Sequence, residues 1–182
     1  MYLHGGRFDC KIKSMINKKS AETIVPRQPA GEGLNLTSSL LNPYYIAGFV
    51  DGEGSFVFFL SPRKDIRLGF ELNLDFQIEV RIDDKEILER IKKTLGCGHI
   101  NVLNYERYKK WMPHVKYRVG RIEDLRNKLV PFFRRYPLQA KKKKNFEIFA
   151  KAVEIKWKKR HLTLIGMKEI KELRNKMEKL KG

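Results

Sequence analysis

Apolar and polar residues alternate along the stretch from about Arg67 to Arg81. The apolar positions are Phe70, Leu72, Leu74, Phe76, Ile78 and Val80, and the polar positions between them are Glu71, Asn73, Asp75, Gln77, Glu79 and Arg81. Such alternation is typical of a β-strand with one buried face and one solvated face. A run of strand-forming residues from Ser55 to Leu60 precedes it, and turn-forming residues around 61–65 separate the two. The pattern therefore predicts an antiparallel hairpin.

A second hairpin and several helices follow from the same kind of pattern. The hairpin strands are predicted at about 99–104 and 108–119, where Val115, Tyr117 and Val119 alternate with Lys116 and Arg118. Helices are predicted at about 42–51, 83–95, 122–133, 139–157 and 163–180. The order is αββαββα with additional C-terminal helices. It predicts an α+β domain in which helices cover one face of an antiparallel sheet and the other face stays polar. A polar face on a twisted sheet can follow a groove of duplex DNA.

The first predicted helix combines small residues with a pair of acids at its end. Asn42 followed by Pro43 is typical of a helix start, because Asn caps free N–H groups and Pro suits the first turn. Gly48 and Gly52 are four residues apart on one helix face and allow close backbone approach to a neighbour. Asp51 and Glu53 stand at the end, where an acid could meet a second acid across such a contact. The alternative interpretation is purely structural: a packed helix that ends in a polar turn.

The charge of the chain points to a polyanionic partner. Lys and Arg number 39 against 21 Asp and Glu in 182 residues, a net charge of +18. Such a charge favours DNA, RNA or an anionic membrane, but no apolar run approaches the roughly 20 residues that span a bilayer. Cys10 and Cys97 have no companions at metal-ligand spacing, so a reduced compartment is expected. Residues 1–40, of which 23–39 hold two Pro, two Gly and several small polar residues, are predicted as an arm or leader, and residues 41–182 as the domain.

The run Ile46-Ala-Gly-Phe-Val-Asp-Gly-Glu-Gly54 resembles the LAGLIDADG motif of homing endonucleases. Further landmarks of that family follow in order at 76–80, 84–85, 136–142 and 161–163, so the resemblance covers about residues 41–182. It implies a saddle-shaped antiparallel sheet. The motif occurs once, and single-motif members of the family work as homodimers with the motif helices at the two-fold axis. The predicted dimer interface comprises Ala47, Gly48, Val50, Asp51 and Gly52.

The resemblance also implies a catalytic set. The second acid of the motif is the metal ligand in the family, which places Mg²⁺, or another divalent cation such as Mn²⁺, on Glu53 with the Gly52 carbonyl. Asp51 is expected to brace the turn at the helix end. A basic residue near the scissile phosphate falls on Lys141 or Lys142, with the register within 141–144 left open. The position that holds a water-orienting polar residue in some relatives is Val80 here, and Gln77 or Arg81 could substitute.

The polar sheet face is the predicted DNA-reading surface. Its predicted contacts are Ser55, Val57, Phe59, Ser61, Arg63, Asn73, Asp75, Gln77, Arg81, Asn101, Lys116 and Arg118. The resemblance implies an intron-encoded, site-specific double-strand endonuclease that cuts a long pseudo-palindromic target as a homodimer. The alternatives are an intron maturase that binds its host intron RNA and a DNA-binding relative that no longer cuts. The expected location is a reduced compartment that holds the host genome, either a bacterial cytoplasm or an organelle interior.

Overall fold

The computed structural model describes residues 40–104 and 112–180. Helix α1 (Pro43–Glu53) leads into strands β1 (Gly54–Pro62) and β2 (Phe70–Arg81), followed by α2 (Lys85–Leu95) and strands β3 (His99–Leu103) and β4 (His114–Val119). A helical stretch then runs through α3 (Ile122–Asp124), a π turn at Leu125–Leu129 and α4 (Val130–Arg135). Helices α5 (Lys142–Trp157) and α6 (Leu164–Lys179) complete the described chain. The predicted αββαββα order with C-terminal helices is confirmed.

The four described strands form one antiparallel sheet in the order β1-β2-β4-β3. The alternation predicted for β2 is confirmed, since Leu72, Leu74, Phe76 and Ile78 are buried against the helices. On β4, Val115, Tyr117 and Val119 are buried on the same side. The first strand of the second hairpin is β3. The first part of the strand predicted at 108–119, as far as residue 111, lies outside the described residues, as does the arm predicted at 1–40 apart from residue 40.

Helix α1 begins where the sequence predicted and ends two residues later. The Asn42 side chain accepts a hydrogen bond from the Tyr44 backbone N–H at 2.9 Å, which is an N-cap. The helix continues to Glu53, and Gly54 begins β1. A Cβ atom on Gly54 would lie 2.6 Å from Val50 Cγ1 and 2.9 Å from the Val50 carbonyl oxygen. The last glycine of the motif is therefore required by close packing, and it lets a sheet strand leave the helix without a spacer.

The stretch from Ile122 to Arg135 is helical as predicted, but it contains a π turn that the periodicity did not indicate. The Val130 N–H bonds to the Leu125 carbonyl, five residues back. Pro131 explains the π turn. It has no N–H, and in a regular α-helix its ring would clash with the carbonyl of Asn127, so widening the preceding turn relieves the conflict.

An aromatic cluster joins the sheet to the helical layer. Phe56 of β1 lies 5.3 to 5.9 Å, between ring centroids, from four other rings. These belong to Phe76, Phe133, Phe146 and Phe149. Because the cluster includes α5, it holds the beginning of that helix, and its lysines, against the strand that follows the motif. Among the described residues, no helix is both long and apolar enough to cross a membrane.

Candidate nuclease site

The two acids at the end of α1 have different surroundings. Asp51 Oδ2 accepts a hydrogen bond from the Gln139 backbone N–H at 2.8 Å, across 88 residues of chain. Asp51 thus braces the end of the motif helix, as predicted, by holding the segment that precedes α5. The Glu53 side chain is exposed, and within residues 40–104 and 112–180 it forms no ion pair. Its carboxylate is therefore available to an external ligand.

One lysine of the basic run reaches the motif. Lys142 Nζ donates a hydrogen bond to the Gly52 carbonyl, whereas Lys141, Lys143 and Lys144 are exposed. Desolvation lowers the pKa of Lys142 below its usual value, and the carboxylates of Glu53 and Asp51 oppose that shift. The register that the sequence left open within 141–144 therefore has a structural preference, and it falls on Lys142. No periodicity could have found it, because the contact joins segments 90 residues apart.

The donor set at this point fits a hard cation only in part. Within the described parts of the chain, no group of three or more His, Cys, Asp or Glu side chains could hold a metal ion. A single carboxylate such as Glu53 still suits Mg²⁺, which often keeps several waters and is held by one or two carboxylates with substrate phosphate. The Gly52 carbonyl, predicted as a second ligand, already accepts a hydrogen bond from Lys142. A cation at Glu53 would therefore draw its remaining oxygens from phosphate, water or a second domain.

The exposed surface of α1 differs from the predicted dimer interface. Ala47 and Val50, named as interface residues, are only 4% and 0% exposed and lie in the core of this same chain. A partner could touch little of their side chains, so the interface prediction is corrected at both positions. Gly48 and Gly52 are exposed, and a Cβ atom at either would have no neighbour within 4 Å. Tyr44 and Tyr45 are also exposed, so the face available for close contact carries glycines and tyrosines.

The polar face of the sheet brings together nearly all of the predicted DNA contacts. Directly paired residues on adjacent strands point to the same side. The pairing aligns Ser55, Gln77, Arg118 and His99 in one row across all four strands, and Glu79, Lys116 and Asn101 in another. Val57, Phe59, Ser61, Asn73 and Arg81 lie on this face as well. Arg63 follows the end of β1.

The sequence prediction missed some residues of this face and misplaced one. His99 and His114 pair with Arg118 and Arg81 and share their face; the alternation within β4 was the signal that could have found His114. Asp75 is misplaced as a DNA contact, because it is only 4% exposed and both of its oxygens bind Arg118. Val80 belongs to the helix-facing side and packs against the core, whereas Gln77 and Arg81 lie on the polar face.

Every basic side chain predicted to contact DNA forms an ion pair within the chain. Arg63 pairs with Asp65 and Glu71, and Arg81 pairs with Asp83. Lys116 pairs with Glu79 at 2.9 Å, and Arg118 pairs with Asp75 at 2.6 Å. Solvent-exposed pairs contribute little to stability, whereas the pair of Arg118 includes the buried Asp75. Those of Arg63 and Arg81, which are open to solvent, can be exchanged for phosphate at little cost.

A model of a known family matches more than half of this chain. Residues 46–153 match the family model described as LAGLIDADG endonuclease. The chain belongs to the LAGLIDADG endonuclease family. The match begins within the motif helix and extends into α5, so it contains both Glu53 and Lys142.

Several relatives are similar over more than two thirds of this chain. A Neurospora crassa protein named "Probable intron-encoded endonuclease 3" is 33% identical over 138 residues, 75% of this chain and 25% of that protein. Homing endonuclease I-ApeII of Aeropyrum pernix is 31% identical over 125 residues, 68% of this chain and 65% of that one. The solved structure of I-SmaMI bound to uncleaved DNA in the presence of calcium ions has a TM-score of 0.70 at 32% identity.

The alignment with I-SmaMI covers 83% of this chain and 49% of that one. This LAGLIDADG chain therefore spans about half the length of a structural relative that binds DNA, and about a quarter of the Neurospora protein. Another I-SmaMI structure, at a TM-score of 0.67, holds cleaved DNA. The α+β fold predicted from sequence is thus the fold of solved LAGLIDADG endonucleases.

Proposed function

We propose that this protein is a site-specific double-strand DNA endonuclease, encoded within an intron, that binds duplex DNA on the polar face of its sheet. The observation that supports the proposal best is the contact of Lys142 Nζ with the carbonyl of Gly52, the residue before Glu53, at the end of α1, where the Glu53 carboxylate acts on the pKa of the lysine. An exposed carboxylate beside a partly desolvated ammonium is a suitable arrangement for phosphodiester hydrolysis. Two Neurospora crassa relatives are named probable intron-encoded endonucleases, and I-SmaMI has been solved bound to cleaved DNA. The proposed location is the reduced compartment that holds the host genome.

The proposed active assembly is a two-fold homodimer joined through α1. Gly48 and Gly52 leave the backbone of α1 open to close approach, and their spacing places them on one face. One chain supplies half the length of the I-SmaMI chain, so a second copy would complete a molecule of that size. Two Glu53 carboxylates would then face one another near the axis, where bound cations relieve their repulsion. The predicted target is correspondingly long and pseudo-palindromic.

The proposed cofactor is Mg²⁺ or Mn²⁺ held by Glu53. When bound, such a cation supplies Lewis acidity, which lowers the pKa of a coordinated water and stabilises negative charge on the leaving oxygen. In the reaction, water adds to phosphorus and the bond to the 3′ oxygen breaks, leaving a 5′-phosphate and a 3′-hydroxyl. Glu53 would be the residue that holds this cation. The Lys142 ammonium stabilises the charge that develops on the phosphate oxygens.

Cleavage of a duplex that carries the intron-free insertion site tests the proposed activity. With Mg²⁺ present we expect both strands to be cut, and with EDTA we expect the duplex to be bound but intact. Cutting that persists in EDTA would contradict the metal-dependent mechanism. Binding to the host intron RNA, with stimulated splicing and no DNA cutting under any metal, would support the maturase instead. Tight duplex binding without cutting would identify an inactive DNA-binding relative.

Replacing Lys142 with methionine is expected to lower the single-turnover cleavage rate by about 10²-fold, because a preorganised charge beside the phosphate is removed. The protonated lysine is the form that stabilises negative charge. In the wild type the rate should therefore fall as pH rises through the Lys142 pKa, which desolvation places below the ordinary value of 10.5. That alkaline decline should disappear in the variant.

The matched control is Lys143→Met, which removes the same charge from the neighbouring exposed position. It should retain the wild-type rate within a few-fold and keep the alkaline decline. If Lys143→Met loses as much activity as Lys142→Met, the effect is general phosphate attraction and the role proposed for Lys142 is wrong. Loss of activity in Lys141→Met but not in Lys142→Met would instead move the role to Lys141.

A further inference from the structure

Arg118 occupies a central place on the polar sheet face and is held there by a buried acid. On β4 it stands opposite Gln77 of β2 and His99 of β3. Its Nε donates to Asp75 Oδ1 at 3.0 Å, and its Nη2 donates to Asp75 Oδ2 at 2.6 Å. The arginine side chain is 46% exposed, whereas that of Asp75 is 6% exposed. The guanidinium thus lies above the carboxylate, on the outer side of the sheet.

The backbone at Gly120 packs closely against the Asp75 carboxylate. A Cβ atom added to Gly120 would lie 2.4 Å from Asp75 Oδ1, so a larger residue would have to displace the acid. Asp75 is also the one charged residue that is buried in the described part of the chain. Burial of an acid is costly unless it is paired and hydrogen-bonded. The Arg118 contact meets that need, and in return the acid sets the orientation of the guanidinium.

The orientation of the Arg118 guanidinium determines which of its N–H groups remain free to bind DNA. A guanidinium has five N–H groups in a fixed planar fork. Nε and one hydrogen of Nη2 are taken by Asp75. The terminal edge, which carries a hydrogen of Nη1 and the second hydrogen of Nη2, bonds to no other residue that the structure describes. Two parallel N–H groups in this spacing match the O6 and N7 acceptors that guanine presents in the major groove.

We propose that Arg118 reads a guanine in the major groove of the target, and that Asp75, seated against Gly120, is a positioning residue that aims its free edge. This inference rests on the proposed DNA-binding function and adds a specificity role that the fold alone does not assign. An arginine that only meets phosphate needs no particular orientation, because phosphate offers acceptors in many directions. A side chain fixed on one edge by a buried acid has already lost the rotamer freedom that base reading would otherwise cost.

The test is selection of bound duplexes from a fully randomised double-stranded DNA library by the full-length protein in Ca²⁺, followed by sequencing. Arg118→Ala should lose the preference for guanine at one position of each half-site, by roughly 5- to 150-fold, and keep the other preferences. Asp75→Asn and Gly120→Ala should weaken the same preference although Arg118 is retained. Arg118→Lys, which keeps the charge but lacks the second parallel donor, should lose it as well.

Glu89→Gln is the charge-matched control, since Glu89 pairs with Lys85 on α2 and its loss should leave every base preference unchanged. Thermal unfolding of each variant shows whether it is folded. If Asp75→Asn is unfolded, Arg118→Lys is the variant used to test the guanine preference. A uniform loss of affinity across all sequences in Arg118→Ala would assign Arg118 to phosphate and overturn the inference. So would an unchanged guanine preference in folded Asp75→Asn and Gly120→Ala. Failure of the wild type to enrich any sequence would overturn the proposed DNA-binding function, and this inference with it.

Discussion

Replacing Glu53 with glutamine is expected to lower the rate of strand cleavage by about 10³-fold or more, while duplex binding persists. Glutamine keeps the size of the side chain but removes the negative charge that holds a divalent cation. Glu53 is exposed at the end of α1 and forms no ion pair within the described chain, so the change should not disturb folding. The measurement is single-turnover cleavage in Mg²⁺, alongside equilibrium binding of the same duplex in Ca²⁺.

Two further variants show whether the loss is due to the carboxylate at position 53. Glu53→Asp should keep much of the activity, since the carboxylate is retained with one methylene fewer. Glu86→Gln removes an exposed carboxylate from α2 and should cut at the wild-type rate. A Glu53→Gln protein that cuts within tenfold of wild type would remove Glu53 from the mechanism. Loss of binding together with cutting would mean that the change had damaged the fold or the DNA surface instead.

Replacing Gly48 with leucine is expected to abolish cleavage by preventing assembly through α1. Within one chain a Cβ atom at this position meets nothing within 4 Å, so the single domain should tolerate the new side chain. Helix propensity even favours the change by about 0.5 to 1 kcal/mol. Between two closely packed motif helices, however, an isobutyl group would force the backbones apart. We expect a dimer for the wild type and a monomer for the variant in analytical ultracentrifugation, with helical circular dichroism retained.

The control for an added exposed leucine is Lys92→Leu on α2, which should stay dimeric and active. Gly48→Ala should give an intermediate loss, because a methyl group separates the helices less. A wild-type protein that is monomeric while it cuts both strands would overturn the homodimer proposal. A Gly48→Leu protein that remains a dimer would show that the partner contacts another surface.

Most of the fold could be predicted because it is recorded in local patterns. The alternation along β2 and β4 assigns each side chain to the core or to the polar face, and Asn42 marks the start of α1 at the predicted residue. Gly96 ends α2 as predicted, in a left-handed conformation. The π turn before Pro131 was missed, because a periodic pattern indicates that a helix is present but not how its hydrogen bonds rearrange around a proline.

The candidate site was predictable in its residue types and less so in its arrangement. Glu53 was named from the motif; its side chain is exposed and forms no ion pair among the described residues, and its role as a cation ligand stays a prediction. Ala47 and Val50 were assigned to an interface because the family resemblance places the motif helix at a two-fold axis. Only the packed structure shows that the contact is with their own core. Asp75 was assigned to DNA because alternation places it on the polar face, and alternation cannot reveal that Arg118 covers it.

The sequence by itself determined the element order, the division of the sheet into a core face and a polar face, the basic charge and the motif acids. These depend on side-chain chemistry and on periods of two or about 3.6 residues, which are local. The tertiary structure alone decided which lysine meets the motif, what Asp51 braces and how Arg118 is aimed. Each of those depends on a contact between segments 43 to 90 residues apart. Such contacts form only when the core has packed and set the distance between the segments.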